Sequence, residues 1–316
     1  MDTALSEVDD LVVLIYNSDV TDIPLSVRSR WIRTLYPTVT VIECWDGPKG
    51  HSTERSHEIQ EENYIIKMLG GRKITHFYSS EFYGEHVSRA LGAIDRRVDT
   101  SRAQVPISAT AIKNDPFGQR GNLDPIVYLD MITKVVFVGA MSTGKSTLVE
   151  ALAKKFDTTF AAEYGREYWT QHQVDRRIGI DEFDTIAKGH LANEDLAAQN
   201  ANKYLFVDTN AVTTFMYCLD YHGQVPPYLE RVALENHSRY DIWFLCEDDI
   251  PYDDTWDRSG PQKRSVFHKQ IISDLLDRKI PFISLTGSVA ERIAKVESVL
   301  SIFKKYGNYF ASRNLA

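Results

Sequence analysis

Apolar positions along the chain fall into short continuous runs, separated by longer stretches in which apolar residues recur every three or four positions. The short runs predict buried strands and the longer stretches predict amphipathic helices. Leu11–Tyr16 (LVVLIY), Val39–Ile42 and Lys73–Tyr78 read as strands. Pro24–Leu35, Ser56–Leu69 and Phe82–Leu91 read as the helices that follow them. Pro24 suits a first helical turn, where its missing N–H is not needed. Gly70-Gly71 and Gly92 supply the stops. A second series begins at Lys134–Val138 (KVVFV) and continues with a helix after Gly144. A strand at Thr158–Ala162 comes next, then a long helix from an Asp181 N-cap to about Asn202. Strands at Tyr204–Val207, Ile242–Leu245 and Pro281–Leu285 and a helix over Val289–Phe303 complete it.

This alternation predicts an α/β fold with mostly parallel sheet covered on both faces. The stretch Asp115–Asp124 carries Pro116, Gly118, Gly121 and Asn122 and is the predicted linker. It divides the chain into domains 1–125 and 126–316, which agrees with a prior of ~150 residues per domain.

Composition narrows the function. Hydrophobic residues are 43% and charged residues 25% of the chain, so either half can bury a core. The net charge of −8 argues against a dedicated nucleic-acid binder, which needs a basic footprint. Cys44, Cys218 and Cys246 are widely spaced and odd in number, which supports neither a disulfide framework nor a zinc site. No apolar run approaches the ~18–20 residues of a membrane span. The acidic start MDTALSEVDD is unlike a signal peptide. The expected setting is the cytoplasm, with small-molecule partners, neither nucleic acid nor membrane, and homo-oligomerisation left open.

The strongest chemical signal is Gly139-Ala140-Met141-Ser142-Thr143-Gly144-Lys145-Ser146, a full match to G-x-x-x-x-G-K-[ST] between a strand and a helix. Backbone N–H groups of such a loop, with the helix start behind it, cradle phosphates. Gly139, Ser142, Thr143, Gly144, Lys145, Ser146 and Thr147 are therefore the expected nucleotide contacts, with ATP and Mg²⁺ as cofactors. Lys145 is placed on the β/γ-phosphates and Ser146 on the metal. Asp208 ends the apolar strand YLFVD and is the second expected metal ligand; alone it reads equally as a helix N-cap.

A phosphate loop does not name the reaction. A GTPase switch would carry N-K-x-D after a strand, but the nearest string, Asn202-Lys203-Tyr204-Leu205, lacks the aspartate. The LSGGQ signature of transporter ATPases is absent. A small-molecule kinase needs an acceptor base and a basic lid. Glu163, at the end of the second strand of this domain, is suited to orient or deprotonate a hydroxyl, and Arg166 to bind a ribose hydroxyl or a phosphate. Asp249–Arg264 is the expected lid, with Arg258, Lys263 and Arg264 to neutralise the transferred group. Tyr252 and Trp256 are suited to stack on a flat ring. A kinase for another nucleoside or nucleotide, or a nucleotide-dependent binding switch, are the alternatives.

The phosphate loop, EYGREY at Glu163–Tyr168, AKGHLANEDLAAQNANKYLFVDTNAVTT at Ala187–Thr214 and YDDTWDRSG at Tyr252–Gly260 resemble the ribosylnicotinamide kinase domain of the bifunctional NadR-like family. The resemblance implies phosphorylation of the 5′-hydroxyl of nicotinamide riboside by ATP and Mg²⁺, giving nicotinamide mononucleotide for NAD salvage. It places Asn210, with Glu163, Arg166, Tyr252 and Trp256, on the acceptor, and gives Lys145, Glu163, Asp208, Arg258 and Arg264 to catalysis. VRSRWIRTLYP at Val27–Pro37, KITHFYSSEFYG at Lys73–Gly84 and ISATAIKNDP at Ile107–Pro116 resemble the family's nicotinamide mononucleotide adenylyltransferase domain, a Rossmann-like nucleotidyltransferase. Ser79, Ser80, Glu81, Ser108, Thr110 and Lys113 are then expected near its nucleotide.

Two departures stand out. The family's G-x-F-x-P-x-H-x-G-H loop, whose histidines bind ATP phosphates, has no counterpart; the nearest histidines, His51 and His57, lie in another segment. Lys113 stands where the family usually has arginine, which loses a bidentate grip. The first domain is therefore expected to be partial, either truncated or without adenylyltransferase activity. No helix-turn-helix segment precedes it, so the DNA-binding role of some relatives is not expected either.

Overall fold

The computed structural model of the chain describes residues 1–18, 21–48, 54–80, 84–103, 105–175, 178–252 and 261–307. The chain forms two compact units, Met1–Asp124 with Tyr306, and Pro125–Lys305. Among the described residues, no helix is long and apolar enough to cross a membrane.

In the first unit, helix α1 (Asp2–Glu7) is followed by strand β1 (Val12–Tyr16), α2 (Leu25–Leu35), β2 (Thr40–Cys44), α3 (Arg55–Leu69), β3 (His76–Ser79), α4 (Gly84–Leu91), β4 (Ile94–Arg97) and α5 (Ala109–Asn114). Pro24 is the N-cap of α2, and Gly70 closes α3 at φ +61, a left-handed conformation that glycine adopts without a Cβ clash. Among the described residues, the strands do not form one sheet. β1 pairs in parallel with β2, and β3 in parallel with β4, as two separate two-stranded sheets. One apolar cluster of the unit joins buried Ile65, Leu69 and Val87 with Val12, Leu14, Tyr16, Ile74, Phe77 and Leu91 packed around them. β4 and α1 carry too many charges for a hydrophobic pattern to reveal them.

The second unit comprises α6 (Pro125–Met131), β5 (Thr133–Val138), α7 (Lys145–Lys155), β6 (Phe160–Ala161), α8 (Tyr164–His172), α9 (Glu182–Ala198), β7 (Tyr204–Asp208), α10 (Ala211–His222), α11 (Pro227–Glu235), β8 (Ile242–Cys246), α12 (Pro261–Asp277), β9 (Ile283–Leu285) and α13 (Val289–Ile302). Its five strands form one all-parallel sheet in the order β6-β7-β5-β8-β9. The inner strands β5, β7 and β8 are almost wholly buried, which is why they read as continuous apolar runs. Phe137, Phe206 and Phe244 stack across neighbouring strands and pack with Leu148, Leu152, Val296 and Leu300 from α7 and α13.

Several boundaries differ from the sequence reading. The strand expected over Thr158–Ala162 shrinks to two residues, because it is an edge strand paired only through Phe160↔Phe206 and Ala161↔Val207. Asp181 is not a side-chain cap: its backbone is already helical (φ −68°, ψ −20°), and the helix ends at Ala198. Arg264 is not on a loop but in the first turn of α12. α13 does begin on a capping box, in which Ser288 and Glu291 satisfy each other's backbone amides.

Candidate active site

β5 lies in the middle of the sheet, and the chain leaves it to one side through β7 and β6 and to the other through β8 and β9. The carboxyl end of a strand at such a reversal is where open α/β sheets bind ligands. Residues 139–144 form the turn there, and α7 starts at Lys145. Gly139 sits at φ +141, and a Cβ on it would lie 2.6 Å from the backbone oxygen of Cys246, so a side chain is excluded by both strain and space. Ser142 takes a left-handed φ of +59 within the same turn. The Lys145 ammonium is buried and donates to the carbonyls of Gly139 (3.0 Å) and Ala140 (2.9 Å). The Thr143 hydroxyl donates to the Ala140 carbonyl at 2.9 Å. Thr147 is exposed on the helix surface.

Asp208 ends β7 directly beside the loop, at the register Phe137↔Asp208. It is 1% exposed, and its Oδ2 accepts the Ser146 hydroxyl at 2.6 Å. Its Oδ1 is buried without a hydrogen bond. Burial and the neighbouring Glu163 carboxylate push the Asp208 carboxyl up to about 6, against the opposing pull of Lys145. Two oxygen ligands side by side, one with an unsatisfied lone pair, form a donor set suited to a hard divalent cation such as Mg²⁺.

Thr209 has φ +62, which is unusual for a β-branched residue. Its N–H donates to the Phe137 carbonyl at 3.0 Å, and its hydroxyl lies 3.4 Å from the buried His190 Nε2. Asn210, not Asp208, caps α10: its Oδ1 accepts the Thr213 N–H at 3.1 Å, leaving Nδ2 buried and unbonded.

Ser146, Asp208, Glu163 and Arg166 line one cavity of about 190 Å³ with Val149, Glu150, Phe160 and Ala162. Glu163 is the residue before α8, and its carboxylate pairs with Arg166 at 3.1 Å. Gly189 lets α8 approach α9 closely, since a Cβ there would lie inside the Tyr164 ring. Tyr217 on α10, packed against the Phe267 ring, senses the charge of Glu163. Burial and the Glu163 carboxylate hold its hydroxyl protonated well above the ordinary tyrosine range, with Asp208 adding to the effect. No sequence motif marked Tyr217, because its placement depends on how α10 packs.

Of the expected lid, Arg258 and Trp256 lie outside the described residues. Lys263 pairs with Asp220 at 3.0 Å. The Arg264 guanidinium lies over the Tyr252 ring at 5.2 Å and donates to backbone carbonyls, including Ser142 of the loop. Arg292 on α13 was not marked by any motif, yet it donates to the Thr143 carbonyl at 2.7 Å. In the first unit, Ser79 ends β3 and Ser80 is exposed after it, while Glu81 lies outside the described residues. Ser108 caps α5 by accepting the Ala111 N–H at 3.0 Å, with Thr110 exposed in that first turn and Lys113 in the last.

A phosphate loop on a central parallel strand, with a serine and a buried aspartate meeting beside it, defines a P-loop nucleotide-binding protein. The sequence pattern of the AAA domain family matches residues 134–292, and the chain belongs to that family. More particularly, the chain is similar to the trifunctional NAD biosynthesis/regulator protein NadR of Escherichia coli (strain K12), 34% identical over 205 residues, which cover 64% of this chain and 48% of that protein. NadR of Salmonella typhimurium (strain LT2) is 33% identical over the same proportions. The chain thus spans about half the length of these curated relatives, with 48% of each covered. Among solved structures, NadR protein in complex with NR matches with a TM-score of 0.59 at 20% identity, covering 95% of this chain and 90% of that one. NadR protein in complex with NAD and AMP-PNP matches with a TM-score of 0.57 at 19% identity and the same coverage. These two establish a shared fold.

Proposed function

We propose that the second unit is an ATP-dependent kinase that phosphorylates the 5′-hydroxyl of nicotinamide riboside, forming nicotinamide mononucleotide and ADP. The observation that carries this reading is a cavity that joins the Ser146–Asp208 pair at the phosphate loop to the Glu163–Arg166 pair. One side supplies phosphate and metal contacts and the other supplies acceptor contacts. The acceptor follows from the resemblance of EYGREY and DTNAVTT, from NadR relatives named for NAD biosynthesis, and from a NadR structure that holds NR.

In this reading the loop amides and Lys145 hold the phosphates of ATP, and Lys145 balances charge as it spreads over the γ-phosphoryl group. Ser146 and Asp208 would hold Mg²⁺, which would supply positive charge to the phosphate oxygens. Glu163 accepts a hydrogen bond from the 5′-hydroxyl and takes its proton as the new O–P bond forms and the β–γ bridge breaks. Arg166 fixes the Glu163 carboxylate, and the Asn210 Nδ2 is a donor available to the ribose. The resemblance gives Arg258 to the transferred group and Tyr252 and Trp256 to the acceptor ring, while the Arg264 guanidinium is engaged on the backbone carbonyls of Ser142, Asp248 and Ile250. The first unit is read as a partial adenylyltransferase-like domain, 1–125, attached to the kinase domain, 126–316.

The test is turnover of nicotinamide riboside by the purified chain with ATP and Mg²⁺, set against uridine, cytidine and thymidine. Faster formation of nicotinamide mononucleotide is expected. Equal or faster phosphorylation of the pyrimidine nucleosides would replace this acceptor. ATP hydrolysis indifferent to any acceptor would make the site a switch.

A further inference from the structure

Two arginines stand behind the phosphate loop. Arg264, in the first turn of α12, donates through Nη1 to the Ser142 carbonyl (3.2 Å) and through Nη2 to the carbonyls of Asp248 (3.0 Å) and Ile250 (3.1 Å). Arg292, in the first turn of α13, donates through Nη1 to the Thr143 carbonyl (2.7 Å), through Nε to the Gly287 carbonyl (3.0 Å) and through Nη2 to the Glu247 carbonyl (3.1 Å) and the Asp249 carboxylate. Arg264 is 8% and Arg292 2% exposed. Two successive carbonyls of the loop are therefore each gripped by a different helix.

A peptide unit is planar and trans, so its C=O and its N–H point in opposite directions. Holding the Ser142 carbonyl aims the Thr143 N–H, and holding the Thr143 carbonyl aims the Gly144 N–H. Neither amide is bonded to an acceptor among the described residues. Ser142 is meanwhile kept in a left-handed conformation that costs a non-glycine residue energy unless its surroundings impose it. Arginine suits this task because its planar fork serves several acceptors at fixed angles, which a lysine ammonium on a flexible stem does not.

We propose that Arg264 and Arg292 are positioning residues, holding the loop from behind so that the Thr143 and Gly144 amides converge on a bound phosphate chain. This rests on reading the loop as a phosphate site. It also gives Arg264 a duty distinct from closing over the transferred group, since both of its terminal nitrogens are engaged on backbone carbonyls.

The test uses the whole chain and inorganic tripolyphosphate as the probe, with no acceptor present. Binding is measured by calorimetry and by amide resonances in the protein labelled with ¹⁵N, for wild type, Arg264→Lys and Arg292→Lys. Each variant is expected to bind tripolyphosphate roughly ten-fold more weakly, the loss of about one charge-assisted hydrogen bond. The tripolyphosphate-induced shift should shrink at the Thr143 amide in Arg264→Lys and at the Gly144 amide in Arg292→Lys. A general loosening of the fold would not divide the shifts in this way. Should Arg292→Lys not fold, Arg264→Lys decides the matter alone. A folded variant with wild-type affinity and wild-type shifts would overturn the proposal. A wild type that does not bind tripolyphosphate would overturn the phosphate-site reading together with it.

Discussion

Ser146 and Asp208 are 62 positions apart in the chain, yet the serine hydroxyl donates to the aspartate at 2.6 Å. They meet because β7 pairs directly with β5, whose end launches the phosphate loop. The carboxylate is buried and raised to about 6 from an ordinary value of 3.8, chiefly by desolvation. That difference corresponds to roughly 3 kcal/mol spent on keeping the charged form at neutral pH. A raised folded value means that the favourable contribution is complete below pH 3.8 and is lost as pH rises through about 6. Asp208→Asn is therefore expected to raise the melting temperature of the nucleotide-free protein at pH 7. The same variant should lower kcat by roughly 10²-fold or more, since a metal-side charge acts on the transferring group. Unchanged stability with unchanged turnover would remove Asp208 from the site.

Lys145→Ala removes the ammonium that sits inside the loop on the Gly139 and Ala140 carbonyls. Turnover should fall by roughly 10³-fold, the scale of a preorganised transition-state contact. Among the described residues, Lys145 donates only to the Gly139 and Ala140 carbonyls, so circular dichroism should show the fold retained. A near wild-type rate would place the chemistry elsewhere.

Glu194 offers a stability test far from any ligand. It is 2% exposed, and its carboxylate accepts from Lys134 (2.9 Å), Arg239 (2.8 Å) and Tyr240 (2.8 Å). Burial alone would raise its carboxyl, but Lys134 and Arg239 overcome this and hold it below the ordinary 4.5. Its contribution is thus present above pH 4.5 and lost as pH falls below it, opposite to Asp208. Glu194→Ala strands two cations and should cost roughly 3–5 kcal/mol in urea unfolding. A loss within the ~0.5 kcal/mol of an ordinary surface change would mean that the cluster does not hold the unit together.

For the first unit, the expectation is chemical. The 316-residue chain contains no H-x-G-H string. Histidines that donate to departing pyrophosphate are worth ~2.7–4 kcal/mol each, so synthesis of NAD from mononucleotide and ATP should fall below detection for this chain. Chromatography with a Lys145→Ala control settles it, and robust NAD formation would mean that other residues do this work.

The parallel sheet of the second unit and the phosphate loop were legible because both are local. A buried strand shows as a run such as KVVFV, and the loop is contiguous. Asp208 was legible through its place at the end of such a run. The parts that escaped depend on packing between distant elements. Arg292 reaches Thr143 across 149 positions, and Tyr217 comes under the influence of the Glu163 charge only through the packing of α10. Arg264 was read as part of the lid loop, yet α12 starts at Pro261, where proline fits the first turn of a helix. Asp181 does hold the N-cap position of α9, but its backbone is already helical and its side chain makes no cap bond.

The division of the first unit's strands into two pairs has a consequence for exchange with solvent. In the five-stranded sheet, β5, β7 and β8 are bonded on both sides. In β1–β4, among the described residues, every strand has a ladder on one side only. A two-stranded sheet on its own is at best marginal in water. Deuterium should therefore enter the amides of β1–β4 through local opening, long before it reaches β5, whose amides should wait for global unfolding of the second unit. One polypeptide would then show two clocks, and a nucleotide bound at residues 139–146 should slow only the later one.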